Sequence, residues 1–127
     1  MQNNETIKTL LIVDDSRVSR MMIRLLVLAK HPQWHIFESI SGDEALLAVD
    51  RNVPDYCTMD INMPGLNGID AAALLLGKYP SIRVAILTAN VQEANQNRAI
   101  TLGARFVPKP VTEKTVGKIL EFFNGEK

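Results

Sequence analysis

Four short apolar segments of this chain each end in polar side chains that can bind metal or take part in chemistry. The residues are Asp14, Asp15, Asp60, Thr88 and Lys109. Apolar runs of this length predict strands of a parallel sheet that is buried on both faces. The carboxyl ends of such strands lie along one edge of the sheet, where ligands bind. The sequence therefore predicts that three carboxylates, a hydroxyl and an ammonium meet in one pocket.

The three carboxylates of this predicted pocket repel one another and call for a counter-charge. At about 4 Å and an effective dielectric of about 20, each pair costs on the order of 4 kcal/mol. Oxygen ligands suit Mg²⁺, so we expect a Mg²⁺ site at Asp14, Asp15 and Asp60. The ammonium of Lys109 and the hydroxyl of Thr88 are suited to bind a phosphoryl group beside that metal.

Strand and helix patterns alternate along the chain. Strands are predicted at 9–13, 35–40, 56–59, 83–87 and 105–108. Right-handed crossovers between them place five helices on both faces of the sheet. We therefore expect an α/β fold, a flavodoxin-like doubly wound sheet of five parallel strands in the order 2-1-3-4-5. This order puts Asp14 beside Asp60, and it puts Pro108, which lacks an amide donor, on an edge strand.

Local signals predict where the helices begin and which faces they bury. Ser41 and Glu44 form a capping box, and Asn90 with Glu93 predicts a second start, for a helix that runs to Gly103. In the first helix the apolar residues Val18, Met22, Leu25, Leu26 and Leu28 recur at helical spacing, and we expect the stripe of Met22, Leu25 and Leu26 to lie in the core. In the closing helix the inward residues are Val116, Ile119, Leu120 and Phe123.

Length and composition predict one domain over residues 1–127, with a polar N-terminal arm at 1–6 and no output domain. Fourteen basic residues balance fourteen acidic ones, which argues against nucleic acid or an anionic membrane as a partner. The absence of a signal-peptide pattern or a long apolar span predicts a cytoplasmic protein. Cys57 is expected to be a small buried hydrophobe, and His31 and His35 ordinary surface residues.

The motifs at the strand ends together resemble the receiver domain of two-component response regulators. They are Asp14-Asp15, Asp60-x-x-Met63-Pro64-x-x-x-Gly68, Thr88-Ala89 and Lys109-Pro110. They occur in order, after the first, third, fourth and fifth strands, and the resemblance covers essentially the whole chain. The nearest type is the stand-alone receiver of the chemotaxis regulators.

The resemblance implies a role for each residue of the pocket. Asp60 would accept a phosphoryl group from a phosphohistidine on a histidine kinase or a histidine phosphotransfer protein, giving an aspartyl phosphate. Asp14, Asp15, Asp60 and the main-chain carbonyl of Asn62 would hold Mg²⁺, while Lys109 and Thr88 would contact the phosphoryl oxygens. Such a protein catalyses its own phosphorylation and dephosphorylation but is primarily a regulatory switch.

Switching and phosphate lifetime would depend on residues around the pocket. Thr88 would move toward the phosphate, and Phe106, at the position of the family's switch aromatic, would turn inward into the space behind it. An effector would then bind the face made by the fourth helix, fifth strand and fifth helix. Asn62 and Asn90 flank the path of the hydrolytic water in this family. The bond between Lys109 and Pro110 would be cis, a structural role for Pro110.

Several functions remain open on the sequence alone. The chain could bind an effector directly or act as a phosphorelay intermediate that passes phosphate to a histidine phosphotransfer protein. A flavodoxin-type electron carrier shares the fold, although Asp14-Asp15 would repel a flavin phosphate. A degenerate receiver that no longer takes phosphate is a further alternative.

Overall fold

The computed structural model describes residues 6–125, which alternate strand and helix from one end to the other. The strands are β1 (Thr9–Val13), β2 (His35–Ser39), β3 (Tyr56–Met59), β4 (Arg83–Thr88) and β5 (Arg105–Pro108). The helices are α1 (Arg17–Lys30), α2 (Gly42–Arg51), α3 (Gly68–Lys78), α4 (Glu93–Thr101) and α5 (Glu113–Phe123). The N-terminal arm predicted at 1–6 lies outside the described residues, apart from Thr6.

The five strands form one parallel sheet in the order β2-β1-β3-β4-β5. The predicted fold class and strand order are therefore confirmed, and β5 with Pro108 lies at an edge. Val13 at the end of β1 pairs with Met59 at the end of β3. Because these strands end side by side, the residues that follow them, Asp14 and Asp60, emerge next to each other.

Two apolar layers enclose the sheet. One layer packs α2, α3 and α4 on the face that carries Met59 and Ile86. The other packs α1 and α5 on the face that carries Ile12 and Leu87. All four inward residues predicted for α5 are buried. Cys57 is fully buried, as predicted, and burial raises the pKa of its thiol to about 12.

The core stripe predicted for α1 is wrong for Met22 and Leu25. The side chains that α1 buries are Ile23 and Val27, whereas Val18, Met22 and Leu25 are exposed by 65%, 42% and 72%. Leu26 packs partly against the core, and Leu28 is half-buried. Apolar residues occur on more than one face of α1, and the stripe of Val18, Met22 and Leu25 lies on the exposed one, so the helical period did not identify the inward face.

The start predicted for the fourth helix is also wrong. α4 begins at Glu93 with Gln92 as its N-cap, and no side chain caps it. The side-chain Oδ1 of Asn90 instead accepts from the main-chain N–H of Gln92 at 3.3 Å, a local turn that competes with helix capping. At Ser41 only half of the predicted box forms. Ser41 Oγ accepts from the main-chain N–H of Glu44 at 3.1 Å, but the Glu44 carboxylate accepts from the N–H of Ile40, one residue before the N-cap, at 3.0 Å. Gly103 has a positive φ of 82° after α4, as expected for a helix-ending glycine.

His31 and His35 lie at the other end of the sheet from the acidic residues. His35 is exposed and opens β2, while His31 is half-buried and stacks on Trp34 with ring centroids 4.0 Å apart. His31 is therefore part of an aromatic cluster, and only His35 matches the expected surface residue. Trp34 itself is buried next to Tyr56.

Candidate functional site

Three carboxylates converge where β1 and β3 end. Oxygen atoms of Asp14, Asp15 and Asp60 all lie within 4.8 Å of one another. The main-chain N–H of Asp60 donates to the carbonyl of Val13 at 3.0 Å, and the N–H of Asp14 donates to Ser39 at 3.1 Å. Asp14 and Asp60 are nearly buried and Asp15 is exposed, so the cluster has one open side. Its oxygen-only chemistry and spacing fit a hard divalent cation.

Lys109 provides positive charge within this cluster. Its ammonium lies 3.0 Å from Asp14 Oδ2 and 3.2 Å from Asp60 Oδ2. Its main-chain N–H donates to the carbonyl of Thr88 at 2.8 Å, which holds the main chain of Lys109 beside the end of β4. The peptide bond between Lys109 and Pro110 is cis, as the resemblance implied.

The protonation of Asp14 and Lys109 reflects both burial and pairing. Burial raises the pKa of Asp14, and the Ser16 N–H and the Lys109 ammonium offset this only in part, so the pKa is raised. Burial by itself lowers the pKa of Lys109, but the hydrogen bond to Asp14 and the charges of Asp60 and Asp14 outweigh it, so the pKa is raised. Lys109 is therefore a permanent cation at physiological pH.

Main-chain hydrogen bonds orient the two buried carboxylates. Asp60 Oδ1 accepts from the N–H of Ile61 at 2.7 Å, and Asp14 Oδ1 accepts from Ser16 at 2.9 Å. Each carboxylate keeps its second oxygen for Lys109. The carboxylate of Asp60 is thus held at one oxygen and presents the other to the pocket.

Gly68 lets the loop after β3 close tightly behind Asp60. Its N–H donates to the carbonyl of Ile61 at 2.9 Å. A Cβ at position 68 would lie 1.8 Å from the main-chain oxygen of Asp60. Glycine is therefore required here by close approach of two main-chain segments and not by an unusual φ.

Thr88 and three asparagines form a hydrogen-bonded chain at the rim of the pocket. Thr88 Oγ1 accepts from the N–H of Asn90 at 3.1 Å. The side-chain amide of Asn90 donates to Asn62 Oδ1 at 3.0 Å, and Asn95 Nδ2 donates to Asn90 Oδ1 at 3.0 Å. These contacts join the loop after β3 to the loop after β4 and to α4. The structure thus brings the predicted residues Asn62 and Asn90 into direct contact.

Phe106 lies on the same face of the sheet as Thr88. Thr88 pairs with Pro108 and Ile86 pairs with Phe106, so Phe106 is a diagonal neighbour of Thr88 across β4 and β5. Its ring is half-buried and packs against the layer of α2, α3 and α4.

The sequence did not predict an ion-pair network of Arg20, Arg24 and Glu38 that adjoins Asp14. Arg20 Nη1 donates to the main-chain oxygen of Asp14 at 2.7 Å, and its Nε lies 2.8 Å from Glu38 Oε1. Arg24 Nε lies 2.8 Å from the other oxygen of Glu38. Burial alone would raise the pKa of Glu38, but hydrogen bonds from Arg24 and Arg20 outweigh it and lower the pKa. The spacing of Arg20 and Arg24, four residues apart, can be read from the sequence, but that they pair with Glu38 of β2 depends on the fold.

A groove of about 540 Å³ opens beside the ammonium. It is lined by Val18, Ser19, Met22, Ala89, Lys109, Pro110 and Val111. Its α1 wall consists of Val18, Ser19 and Met22, and Met22 is a side chain that the sequence placed wrongly in the core. The acidic pocket therefore lies next to an exposed apolar surface.

Comparison with known proteins gives one family and a consistent set of relatives. The family model for the response regulator receiver domain matches residues 10–121. The chemotaxis protein CheY of Listeria monocytogenes is 37% identical over 114 residues, covering 88% of this chain and 94% of that protein.

Two solved structures share the fold. A CheY-like receiver domain protein from Methanospirillum hungatei matches with a TM-score of 0.85 at 19% identity, over 94% of this chain and 96% of that one. The CheX–CheY–BeF3–Mg²⁺ complex from Borrelia burgdorferi matches with a TM-score of 0.83 at 24% identity, over 91% and 87% of the two chains.

None of the helices between residues 6 and 125 has the length and apolar composition of a membrane span.

Proposed function

The chain belongs to the response regulator receiver domain family, and we propose that it accepts a phosphoryl group on Asp60 and signals through a partner-binding face. The observation that supports this most strongly is the contact of the Lys109 ammonium with both buried carboxylates, at 3.0 and 3.2 Å. A cation held against a carboxylate is suited to balance the charge of an incoming phosphoryl group.

The proposed step is a displacement at phosphorus. The Asp60 carboxylate attacks, the bond between phosphorus and the donor imidazole nitrogen breaks, and that nitrogen keeps the electron pair. Lys109 stabilises the phosphoryl oxygens, and the Thr88 hydroxyl donates to one of them. Asp14, Asp15, Asp60 and the main-chain carbonyl of Asn62 would hold Mg²⁺, which supplies further charge neutralisation at the phosphoryl oxygens. The acidic cluster fits such an ion.

The donor is proposed to be a histidine kinase or a histidine phosphotransfer protein that covers the groove beside Lys109. That groove is the apolar surface next to the pocket, and exposed Leu25 extends it along α1. We expect Leu25→Glu to slow transfer from a phosphohistidine protein much more than from a small phosphodonor. Equal slowing with both donors would contradict this placement.

The output is proposed to run through Thr88 and Phe106 to the face of α4, β5 and α5. The diagonal arrangement of these two residues supports the proposal, since a shift of Thr88 changes the space open to the ring. The CheY relatives favour a stand-alone protein of chemotaxis type that binds an effector protein. A cytoplasmic location is part of the same proposal.

A phosphorelay is the second candidate within the same chemistry. Purified phosphorylated chain should then return its phosphoryl group to a histidine phosphotransfer protein, whereas an effector-binding protein should lose it to water. The flavodoxin-type alternative predicts a coloured protein with bound flavin, and the degenerate receiver predicts no phosphorylation under any condition.

The first experiment is intact-mass measurement after incubation with a small phosphodonor and Mg²⁺. We expect one phosphoryl adduct, which is absent from Asp60→Asn and from a sample with chelator. Circular dichroism of Asp60→Asn checks that the variant is folded. An adduct that persists on Asp60→Asn would place the acceptor elsewhere, and a folded wild type without adduct would support the degenerate alternative.

A further inference from the structure

The Lys109 ammonium has a third partner that the proposed chemistry does not use. Its Nζ lies 3.2 Å from Ser19 Oγ, in addition to Asp14 Oδ2 at 3.0 Å and Asp60 Oδ2 at 3.2 Å. An ammonium has three N–H donors, so the three oxygens can satisfy all of them. Ser19 is half-buried and belongs to α1, far from Lys109 in sequence.

The three acceptors differ in what happens to them during phosphorylation. Asp60 loses its free carboxylate when it bonds to phosphorus, and Asp14 would turn its oxygens to the metal. Ser19 has no part in the proposed reaction and keeps its oxygen available throughout. It is therefore the one acceptor that can hold the ammonium in place while the other two change.

We propose that Ser19 is a positioning residue that anchors the Lys109 ammonium where the phosphoryl oxygens arrive. This inference rests on the proposed function. A lysine side chain loses about 2 kcal/mol of rotamer entropy when it is fixed, so a fixed acceptor that holds it beforehand favours the reactive arrangement. Displacements of about 1 Å in such groups slow reactions strongly.

The helix itself does not depend on the Ser19 hydroxyl. The N-cap of α1 is Ser16, whose Oγ accepts from the main-chain N–H of Ser19 at 3.2 Å. Ser19 thus contributes its main chain to the cap and its side chain to Lys109. Alanine is a better helix former than serine, and this gain partly offsets the lost hydrogen bond to Lys109, so we expect Ser19→Ala to fold with nearly unchanged stability.

The first test uses the metal-free protein and no reaction. Nitrogen-15 NMR of lysine side chains reports hydrogen exchange of the Lys109 ammonium, which is slow when all three donors are bonded. We expect Ser19→Ala to speed this exchange roughly fivefold to tenfold, and Ser19→Thr, which keeps a hydroxyl, to stay within about twofold of the wild type. An exchange rate of the Lys109 ammonium that is unchanged in Ser19→Ala would contradict the hydrogen bond between Lys109 and Ser19.

The second test is a double-mutant cycle on phosphorylation rate with a small phosphodonor at saturating Mg²⁺, followed by intact mass. We expect Ser19→Ala to slow the wild type roughly fivefold to tenfold, and to cause no further loss in a Lys109→Ala background. Ser19→Thr should restore most of the rate. If Ser19→Ala slowed phosphorylation equally in the wild type and in Lys109→Ala, or did not slow the wild type at all, the positioning role would be overturned.

The two tests separate this inference from the proposed function. A wild type that takes no phosphoryl group would contradict the function, while the exchange measurement would still decide whether Ser19 holds Lys109. A wild type that is phosphorylated normally, with Ser19→Ala indistinguishable from it, would leave the function intact and reject the role of Ser19.

Discussion

The Lys109 ammonium forms a 3.0 Å ion pair with Asp14 Oδ2, and Asp14 is almost completely buried. The lysine therefore neutralises part of the acidic cluster before any metal binds. A divalent cation in the cluster would have to share or replace this contact. The same side chain is thus both a stabiliser of the metal-free protein and a competitor for the metal ligands.

Lys109→Met is expected to separate these two effects. Without the ammonium, Asp14 and Asp60 lose their hydrogen-bonding partner, so the free energy of unfolding without Mg²⁺ should fall by roughly 1–3 kcal/mol. Mg²⁺ affinity should rise, by roughly fivefold to tenfold, because no cation competes for the oxygens. Urea unfolding with chelator and an NMR titration with Mg²⁺ measure the two quantities. Weaker Mg²⁺ binding in the variant would contradict the competition.

Asn90→Ala is expected to shorten the lifetime of the aspartyl phosphate by roughly threefold, which corresponds to the loss of part of one hydrogen bond. The amide of Asn90 bonds to Asn62 across the rim of the pocket, and its loss opens a path for water. The decay of the phosphoryl adduct after donor removal, followed by intact mass, measures this lifetime. Asn95→Ala, which removes the contact to Asn90 Oδ1, should have a smaller effect in the same direction. An unchanged or longer lifetime for Asn90→Ala would show that the pair does not exclude water.

Glu38→Gln is expected to destabilise the protein in a pH-dependent way. The pKa of Glu38 is lowered from its ordinary value of 4.5 by Arg24 and Arg20, against the effect of burial. A lowered folded-state pKa gives stability that is present above the unfolded-state pKa and is lost as pH falls through the folded-state pKa. The difference in unfolding free energy between wild type and variant should be about 1 kcal/mol near neutral pH.

That difference should shrink as the pH is lowered below the ordinary value of 4.5. Urea unfolding over a series of pH values measures it. Asp50→Asn, at the exposed pair with Lys78, is the matched control and should have a smaller effect. A difference that stays constant down to strongly acidic pH would mean that charge pairing at Glu38 is not the cause.

Gly68→Ala is expected to lower the unfolding free energy by at least about 2 kcal/mol. The new methyl group would lie on the main-chain oxygen of Asp60, so the loop after β3 must move and the phosphorylation rate should fall as well. Gly77→Ala is the matched control in the same helix, because nothing lies within 4 Å of a Cβ there. It should gain about 0.5–1 kcal/mol from reduced backbone freedom in the unfolded chain. Similar stability changes for the two variants would contradict the close approach.

The Glu38 network illustrates what sequence reasoning could not reach. Arg20 and Arg24 share one face of α1 by their spacing, but their partner lies on β2, and no local pattern links the two. The inward face of α1 was predicted wrongly for a related reason. Ile23 and Val27 are buried because α5 and the sheet pack there, while equally apolar Met22 and Leu25 face outward.

By itself, the sequence determined the alternation of elements, the strand order and the convergence of Asp14, Asp15, Asp60 and Lys109 at one edge. Hydrophobic periodicity, the right-handed crossover between parallel strands and the positions of strand ends are local or topological properties, and a linear pattern is enough to predict them. The tertiary structure alone decided the partners of Lys109, the contact of Asn62 with Asn90 and the exposed face of α1. These depend on how side chains from distant segments pack, and packing is a property of the assembled core.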